Sequence, residues 1–269
     1  MRRRKRGGVG TWVGGALVAA LALVMIAPFL YMVATSFMNE GEVLPADPHP
    51  ENYAAALRVL PFGRFFLNSA IVAGCVALGQ VVTSAAAAYA FARLRFPGRD
   101  RLFLAFLSVL MVPAIVLFIP RFLIIDALGW VDTYPGLIST ELVSVWGIFL
   151  LRQFFLTLPR DLEDAARLDG AGEWAIFWHV VLPLSRPAVA TLALFAFADQ
   201  WKNFLWPLIA TRSVEMQVVE VGLATFHGMY STNWPYQMAV AVTATLPLLA
   251  VFLVTQRYFI RGVQLLAVK

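Results

Sequence analysis

The sequence predicts an all-α integral membrane protein with six transmembrane helices, and three observations carry that prediction. Residues of the Ala, Val, Ile, Leu, Met, Phe, Trp, Tyr and Cys set make up 60% of the 269 residues. Only 14% are charged, against about 25% in a soluble domain. The charges sit at the ends of long apolar blocks. A soluble domain of this size could not cover its surface with so few charges, and disorder needs low hydrophobicity. Both are excluded.

The net charge is +5. Nucleic-acid binding needs basic residues clustered on a solvated face. Here they flank apolar blocks, the pattern of a chain oriented in a bilayer. Membrane lipid is therefore the expected surrounding, and nucleic acid is not a partner. The single cysteine, Cys75, excludes an intramolecular disulfide and a thiolate metal site, and it reads as a small core residue.

The spans follow from charge-free windows, since a helix needs about 20 apolar residues to cross the hydrocarbon. Residues 7–39, 65–92, 102–120 and 221–256 carry no charge. Two further spans tolerate charges: 134–151 holds Glu141, and 187–209 holds Asp199 and Lys202. The expected organisation is one transmembrane domain, 1–269, with spans at 12–33, 67–91, 102–120, 134–151, 187–209 and 237–256 and a cytoplasmic loop at 152–186. Arg2, Arg3, Arg4, Lys5 and Arg6 place the N-terminus in the cytoplasm. Six crossings then gather three more groups on that side: Arg93, Arg95, Arg99 and Arg101; Arg152, Arg160, Arg167 and Arg186; and Arg257, Arg261 and Lys269. That is 16 of the 21 basic residues. Arg58, Arg64, Arg121, Arg212 and the intramembrane Lys202 remain. Five or seven spans would scatter the groups.

The apolar stretch from Trp12 to Val33 is too long for a signal-peptide core and has no small-residue cleavage site, so it reads as a retained helix. Pro28, Pro113, Pro207 and Pro247 lie within spans, where neighbours can compensate the missing hydrogen bond. In the second span, Ala73 and Ala77, and then Ser84, Ala88 and Ala92, recur at four-residue spacing. Small residues so placed let helices approach closely.

Segment 152–186 is more than a connector. Pro159 suits a helix start, and Asp161, Glu163 and Asp164 suit the positive end of the helix dipole. Leu162, Ala165, Ala166 and Leu168 form an apolar strip, and Glu163 and Arg167 are an i,i+4 pair. Asp169-Gly170 ends the helix, with Gly as the left-handed cap. A second segment, Glu173 to Leu182, carries Trp174, Phe177, Trp178 and Val181 before Pro183 stops it. The alanine pair buries little by itself, so this surface suits reception in a partner's groove.

The run Leu162-Glu163-Asp164-Ala165-Ala166-Arg167-Leu168-Asp169-Gly170-Ala171, followed by Val181-Leu182-Pro183-Leu184, resembles the EAA loop of ABC importer permeases. The stretches Ala88 to Gly98, Trp201 to Leu208 and Gln256 to Gly262 are similar to the maltose-type, carbohydrate-uptake branch. Asp164 stands where that family usually has Glu, one methylene longer. The resemblance implies the type I ABC importer permease fold, with Glu163, Asp164, Ala165, Ala166, Asp169 and Gly170 in a coupling helix that docks on an ATPase. It implies a second, homologous permease, two ATP-binding cassette subunits that carry the ATP and Mg, and an extracytoplasmic solute-binding protein. It places the chain in a bacterial or archaeal cytoplasmic (inner) membrane with both termini in the cytoplasm.

The chain lacks Gly-x-x-x-x-Gly-Lys-Ser/Thr, so it has no phosphate loop for ATP, and His49, His179 and His227 lack zinc-site spacing. No cofactor is expected in this chain, no catalytic residue and no metal ligand. Asp199, Lys202, Asn203 and Trp206 are spaced i, i+3, i+4, i+7, which places them on one helix face. Ionisable residues at membrane depth are costly and face a cavity or partner. Carboxylates and amides satisfy sugar hydroxyls while aromatic faces cover the apolar side of the ring, so the stripe is a candidate substrate path. An interfacial Asp199–Lys202 pair is the other reading. The outer segments 40–66 and 210–236, with Pro45, Pro48, Pro50, Pro61 and Pro235, read as loops. The first is acidic at Glu40, Glu42, Asp47 and Glu51, and by resemblance both meet the binding protein.

The function expected is the membrane subunit of an ATP-driven sugar importer, with glycerol phosphate or another polyol derivative as the alternative cargo. Lys202 is the one intramembrane cation the sequence offers a phosphate, which favours a neutral cargo. An intramembrane protease would need a second acid beside Asp199, and a passive channel leaves the cytoplasmic helix without a role.

Overall fold

The computed structural model describes residues 9–42, 47–229 and 233–266. Arg2 to Arg6, Pro45 and Lys269, together with the side chains of His227, Arg257 and Arg261, lie outside what is described. In chain order the helices are α1 (Val9–Ser36), α2 (Glu51–Val59), α3 (Phe62–Arg93), α4 (Arg99–Ser108), α5 (Phe118–Ala127), α6 (Tyr134–Ile138), α7 (Val145–Thr157), α8 (Asp161–Leu168), α9 (Glu173–Ile176), α10 (Leu182–Leu184), α11 (Arg186–Trp201), α12 (Leu205–Ala210), α13 (Val219–Met229) and α14 (Trp234–Leu266). No strand occurs among the described residues.

Three helices are long and apolar enough to cross a membrane: Gly14–Ser36, Phe62–Arg93 and Trp234–Gln256. Three bent pairs bring the total to six if each is one span. Arg99–Met111 with Ala114–Ala127 turns by 95°, Tyr134–Glu141 with Val145–Thr157 by 43°, and Glu173–Leu184 with Arg186–Trp201 by 78°. Pro28 and Pro247 sit inside unbroken helices. Pro113 marks the sharpest bend, where its missing N–H ends one helix and its fixed φ starts the next.

The chain divides into two compact units, Met1–Leu60 with Thr225–Thr245, and Pro61–Ala224 with Leu246–Lys269. In the first, α1 exposes apolar side chains around its circumference, Leu17, Leu21, Met25 and Phe29 among them, as a helix immersed in lipid or other helices does. Its end is tied down by α2. Asn52 Nδ2 donates to the carbonyls of Ser36 (3.1 Å) and Met38 (2.8 Å), Ser36 Oγ shares a hydrogen bond with Tyr53 Oη at 2.7 Å, and Tyr53 packs on Phe37. The expectation of a loop over 40–66 is corrected here. A nine-residue helix has too little periodicity to be legible, yet its buried Asn52 and Ala56 anchor it. Likewise α13 occupies part of 210–236.

In the second unit α3 is the central pillar, packed against α7 and α11. Ala73, Ala77, Ser84, Ala88 and Ala92 are buried, so the small-residue stripe is a close-packing face. Gly147 of α7 completes it: a Cβ there would lie 2.6 Å from Ser84 Oγ and 2.8 Å from Leu192 Cδ1. Cys75, in contrast, is exposed. It lies on the face of α3 turned away from this packing, so the expectation of a core cysteine is corrected.

The break at Leu142–Ser144 frees carbonyls that water could not reach inside a bilayer. Side chains of α3 take them up. Gln80 Nε2 donates to Glu141 O (2.8 Å), Thr83 Oγ1 to Leu142 O (2.9 Å) and Ser84 Oγ to Ser144 O (3.4 Å). Ser144 Oγ in turn accepts from Gly147 N and caps α7.

Candidate functional site: a clamped loop and a polar cluster within the spans

Helix α8 has three acids in its first turn and Arg167 in its last, both favoured by the helix dipole. It closes with Gly170 at φ +83°, while Gly170 N donates to Arg167 O and Ala171 N to Ala166 O, the Schellman arrangement. Pro159 stands one residue before the N-cap Arg160. Pro183 does not stop the following segment, as the sequence reading expected. The turn widens to π geometry over Phe177–Val181, where the ring of Pro183 would otherwise meet the carbonyl of His179, and the helix continues to Leu184.

The two faces of this loop differ. On the inner face Ile176, Phe177 and Val181 are buried with Ala88, Tyr89, Ala92, Leu151 and Phe155, and Ala166 packs against them. Glu163 belongs to this face. Its carboxylate meets Arg93 Nε at 2.8 Å, with side-chain exposures of 4% and 2%, although the bond angle is too bent for a hydrogen bond. Arg93 Nη2 donates to Phe155 O (2.6 Å) and Leu158 O (2.9 Å). One guanidinium thus joins the end of α3, the end of α7 and α8. Arg167 extends the network to Glu163 (3.7 Å), Asp164 (2.8 Å) and Glu173 (3.0 Å), and Tyr89 Oη donates to Glu173 Oε2 at 2.6 Å. Burial works against the Arg167 charge, but the Glu173 and Asp164 carboxylates outweigh it and hold its pKa above the ordinary value.

On the outer face Asp164, Ala165, Asp169 and Gly170 are exposed, as are Leu162, Trp174 and Trp178, and Leu168 is 90% exposed. The resemblance implies docking through all six motif residues. The structure corrects this for Glu163, whose carboxylate is spent inside its own subunit, and Ala166 is half-buried. The 3.6-residue period puts Glu163 and Ala166 on one face and Asp164, Ala165 and Leu168 on the other.

The single helix face expected for the substrate path is also corrected. The helix breaks after Trp201 and resumes at Leu205, so Asp199, Lys202, Asn203 and Trp206 do not share one face. Trp206 is 1% exposed and packs with Val72, Val76, Ile125 and Leu137. Asn203 turns inward, donating to Gln200 Oε1 (3.3 Å) and accepting from Trp206 N (3.4 Å). Lys202 and Asp199 are exposed, and no ion pair joins them among the described residues.

What the sequence reading missed is the group these residues surround. Arg121 of α5 pairs with Glu141 and donates to Thr140 Oγ1 at 2.8 Å. Its guanidinium lies 4.0 Å from the Trp206 ring centroid, a cation–π contact. Gln200 donates to the other Glu141 oxygen at 3.3 Å. Glu141 also meets Gln80, midway along α3. The signal was present: an Arg one residue past the charge-free window and a Glu in the next span are each costly at such depth, and each is the natural partner of the other. Beside the cluster, Gln80, Glu141, Ser144, Trp146, Phe195 and Asp199 line part of a cleft of about 540 Å³.

Outside the spans, burial tends to raise the Asp132 carboxyl, but the N–H groups of Arg212 and Ser213 (2.9 and 3.0 Å) hold it below its ordinary value. It ties the link before α6 to that after α12.

In the second unit, bent apolar helices hold the Arg121–Glu141 cluster between them and carry the clamped helix α8. The chain belongs to the family of binding-protein-dependent transport system inner membrane components, whose profile matches residues 80–265. It is 35% identical to the sn-glycerol-3-phosphate transport system permease protein UgpE of Brucella abortus (strain 2308), over 92% of this chain and 94% of that one. It is 32% identical to the arabinooligosaccharides transport system permease protein AraQ of Halalkalibacterium halodurans, over 99% of each. It is 33% identical to the diacetylchitobiose uptake system permease protein NgcG of Streptomyces coelicolor, over 91% and 84%. Among solved structures, a bacterial ABC transporter involved in the import of the acidic polysaccharide alginate superposes with a TM-score of 0.83 at 25% identity, over 96% of this chain and 99% of that one. The chain is thus a transport permease subunit of an importer that depends on a binding protein.

Proposed function

We propose that this chain is the membrane-spanning subunit of an ATP-driven importer of a sugar. The observation that carries the reading is the division of labour in the 161–171 loop. The inner face of α8 is clamped to α3 and α7 by Arg93–Glu163, and its outer face leaves Leu162, Ala165 and Leu168 exposed. Apolar side chains so displayed next to Asp164 and Asp169 suit a groove in another protein with basic residues at its rim. That protein is an ATPase subunit carrying ATP and Mg. Two ATPase subunits, a second similar permease and a solute-binding protein on the opposite side complete the assembly, with both termini of this chain in the cytoplasm of a bacterium or archaeon.

The clamp gives the coupling a direction. Closure of the ATPases displaces α8, and because Arg93 grips α7 carbonyls as well as Glu163, the ends of α3 and α7 follow. Driving a bundle from about 1:99 to 99:1 between inward-facing and outward-facing states takes roughly 5.5 kcal/mol, so the joint must carry forces of that order. The test is to delete residues 165–170 in the assembled importer. The expected result is that ATP hydrolysis no longer responds to the loaded binding protein. An unchanged response would refute docking through α8.

Cargo assignment rests on the relatives, which are named for arabinooligosaccharides, diacetylchitobiose and glycerol 3-phosphate. The 35% identity to the glycerol-3-phosphate permease favours that cargo as the second reading. A phosphate wants free cations in its path; Arg121 is already paired with Glu141, and Lys202, though exposed, does not line the cleft beside that pair.

A further inference from the structure

The cleft beside the Arg121–Glu141 pair has the chemistry of a site. We infer that Asp199, Trp146 and Phe195, with Gln80, Glu141 and Ser144 behind them, form the cargo subsite of this chain, and that it takes a neutral saccharide ring in preference to an anionic one. The inference deepens the proposed function and rests on it.

At about 540 Å³ the cleft is in the usual range for small-molecule sites. It holds two kinds of surface. Trp146 and Phe195 pack edge to face with centroids 5.7 Å apart and remain 42% and 51% exposed. They offer a broad apolar wall of the kind that covers the C–H face of a sugar ring. Opposite in chemistry are the hydrogen-bonding groups. Asp199 is exposed and lines the cleft, where a carboxylate accepts hydrogen bonds from hydroxyl groups. Gln80 commits its amide N–H to Glu141 O and leaves its carbonyl oxygen as an acceptor.

Charge decides the class of cargo. Arg121 and Gln200 engage the two Glu141 oxygens, so the pair brings little net charge to the cleft. Asp199 is the other acid of the lining, and no Lys or Arg is among the lining residues. A phosphate or uronate entering here would lose water and meet a like charge with no cation in the lining to offset either cost. A neutral ring would meet acceptors for its hydroxyls and a wall for its carbons.

The test uses the complete importer in proteoliposomes, supplied with its binding protein and ATP. The probes are diacetylchitobiose and arabinotriose as neutral saccharides, and glycerol 3-phosphate and an alginate trisaccharide as anions. The expected result is uptake of a neutral probe and not of the anions. Trp146→Ala and Asp199→Asn should each lower that uptake at least tenfold, Trp146→Phe should retain most of it, and all three variants should still co-purify with the other subunits. Uptake of an anionic probe at a rate equal to or above the neutral ones would overturn the inference. So would unchanged uptake by both the Ala and Asn variants, or their failure to assemble, which would make this wall a subunit interface. Those results leave the importer reading standing. Absence of ATP-dependent uptake of any probe by the unaltered complex contradicts both.

Discussion

Arg93 and Glu163 show how far a single contact can redefine a motif. Read along the chain, Glu163 is one acid among three at the start of a helix, and nothing in its own neighbourhood says that it faces inward. Its partner lies 70 positions away at the end of α3. Breaking a buried pair leaves an unpaired charge and typically costs about 3–5 kcal/mol. Glu163→Ala is therefore expected to lower the thermal stability of the purified protein and open the 158–173 segment to protease, while Asp164→Ala, on the outer face, does neither. Equal effects from the two substitutions would show that the burial of Glu163 is unimportant. A second prediction concerns His49, whose ring lies 2.6 Å from Glu51. That hydrogen bond raises the histidine above its ordinary 6.5 and lowers the glutamate. Any stability the charged imidazole contributes is thus fully present below 6.5 and lost as pH rises through the raised value. In histidine-labelled protein, His49 should titrate above 6.5 and return towards it in Glu51→Gln; a titration unaffected by that substitution would contradict the pairing.

Helices are where the sequence was most and least legible. The long apolar runs announce α1, α3 and α14, because a span needs only length and the absence of charge. The EAA-like run announces α8 down to its glycine cap, because acids, alanines and Gly170 each have a local reason to stand where they do. Apart from the one at Pro113, the bends were not legible. Whether a chain breaks at Leu142–Ser144 depends on Gln80, Thr83 and Ser84 of another helix donating to the freed carbonyls. The break after Trp201, which dissolved the expected Asp199–Trp206 face, has the same character: Asn203 caps it from within. Two substitutions test this scale. Gly147→Val forces a side chain against Ser84 and Leu192, and overpacking of this kind costs about 1–3 kcal/mol; a fall in the melting temperature in detergent is expected. Gly170→Ala places a Cβ on a left-handed residue, costing about 1–2 kcal/mol, and should fray the end of α8, read as faster amide exchange at 168–171. Unchanged exchange would mean that the cap does not hold the helix.

At the scale of the molecule, the polar cluster and the clamped helix of the second unit share α3, which carries both Gln80 and Arg93. The middle of the bundle keeps Arg121, Glu141, Gln80 and Gln200 bonded to one another, so that charge can reside among apolar helices at tolerable cost. The clamped helix leaves Leu162, Ala165 and Leu168 exposed, and the sequence contains no phosphate loop. The most direct measurement is cargo uptake into proteoliposomes that contain this chain and its partner permease, with the binding protein added on the side where it docks, compared with and without the ATPase subunits. Uptake that appears only when the ATPases and ATP are both present is the expected result. Uptake at the full rate by the membrane subunits alone would contradict it.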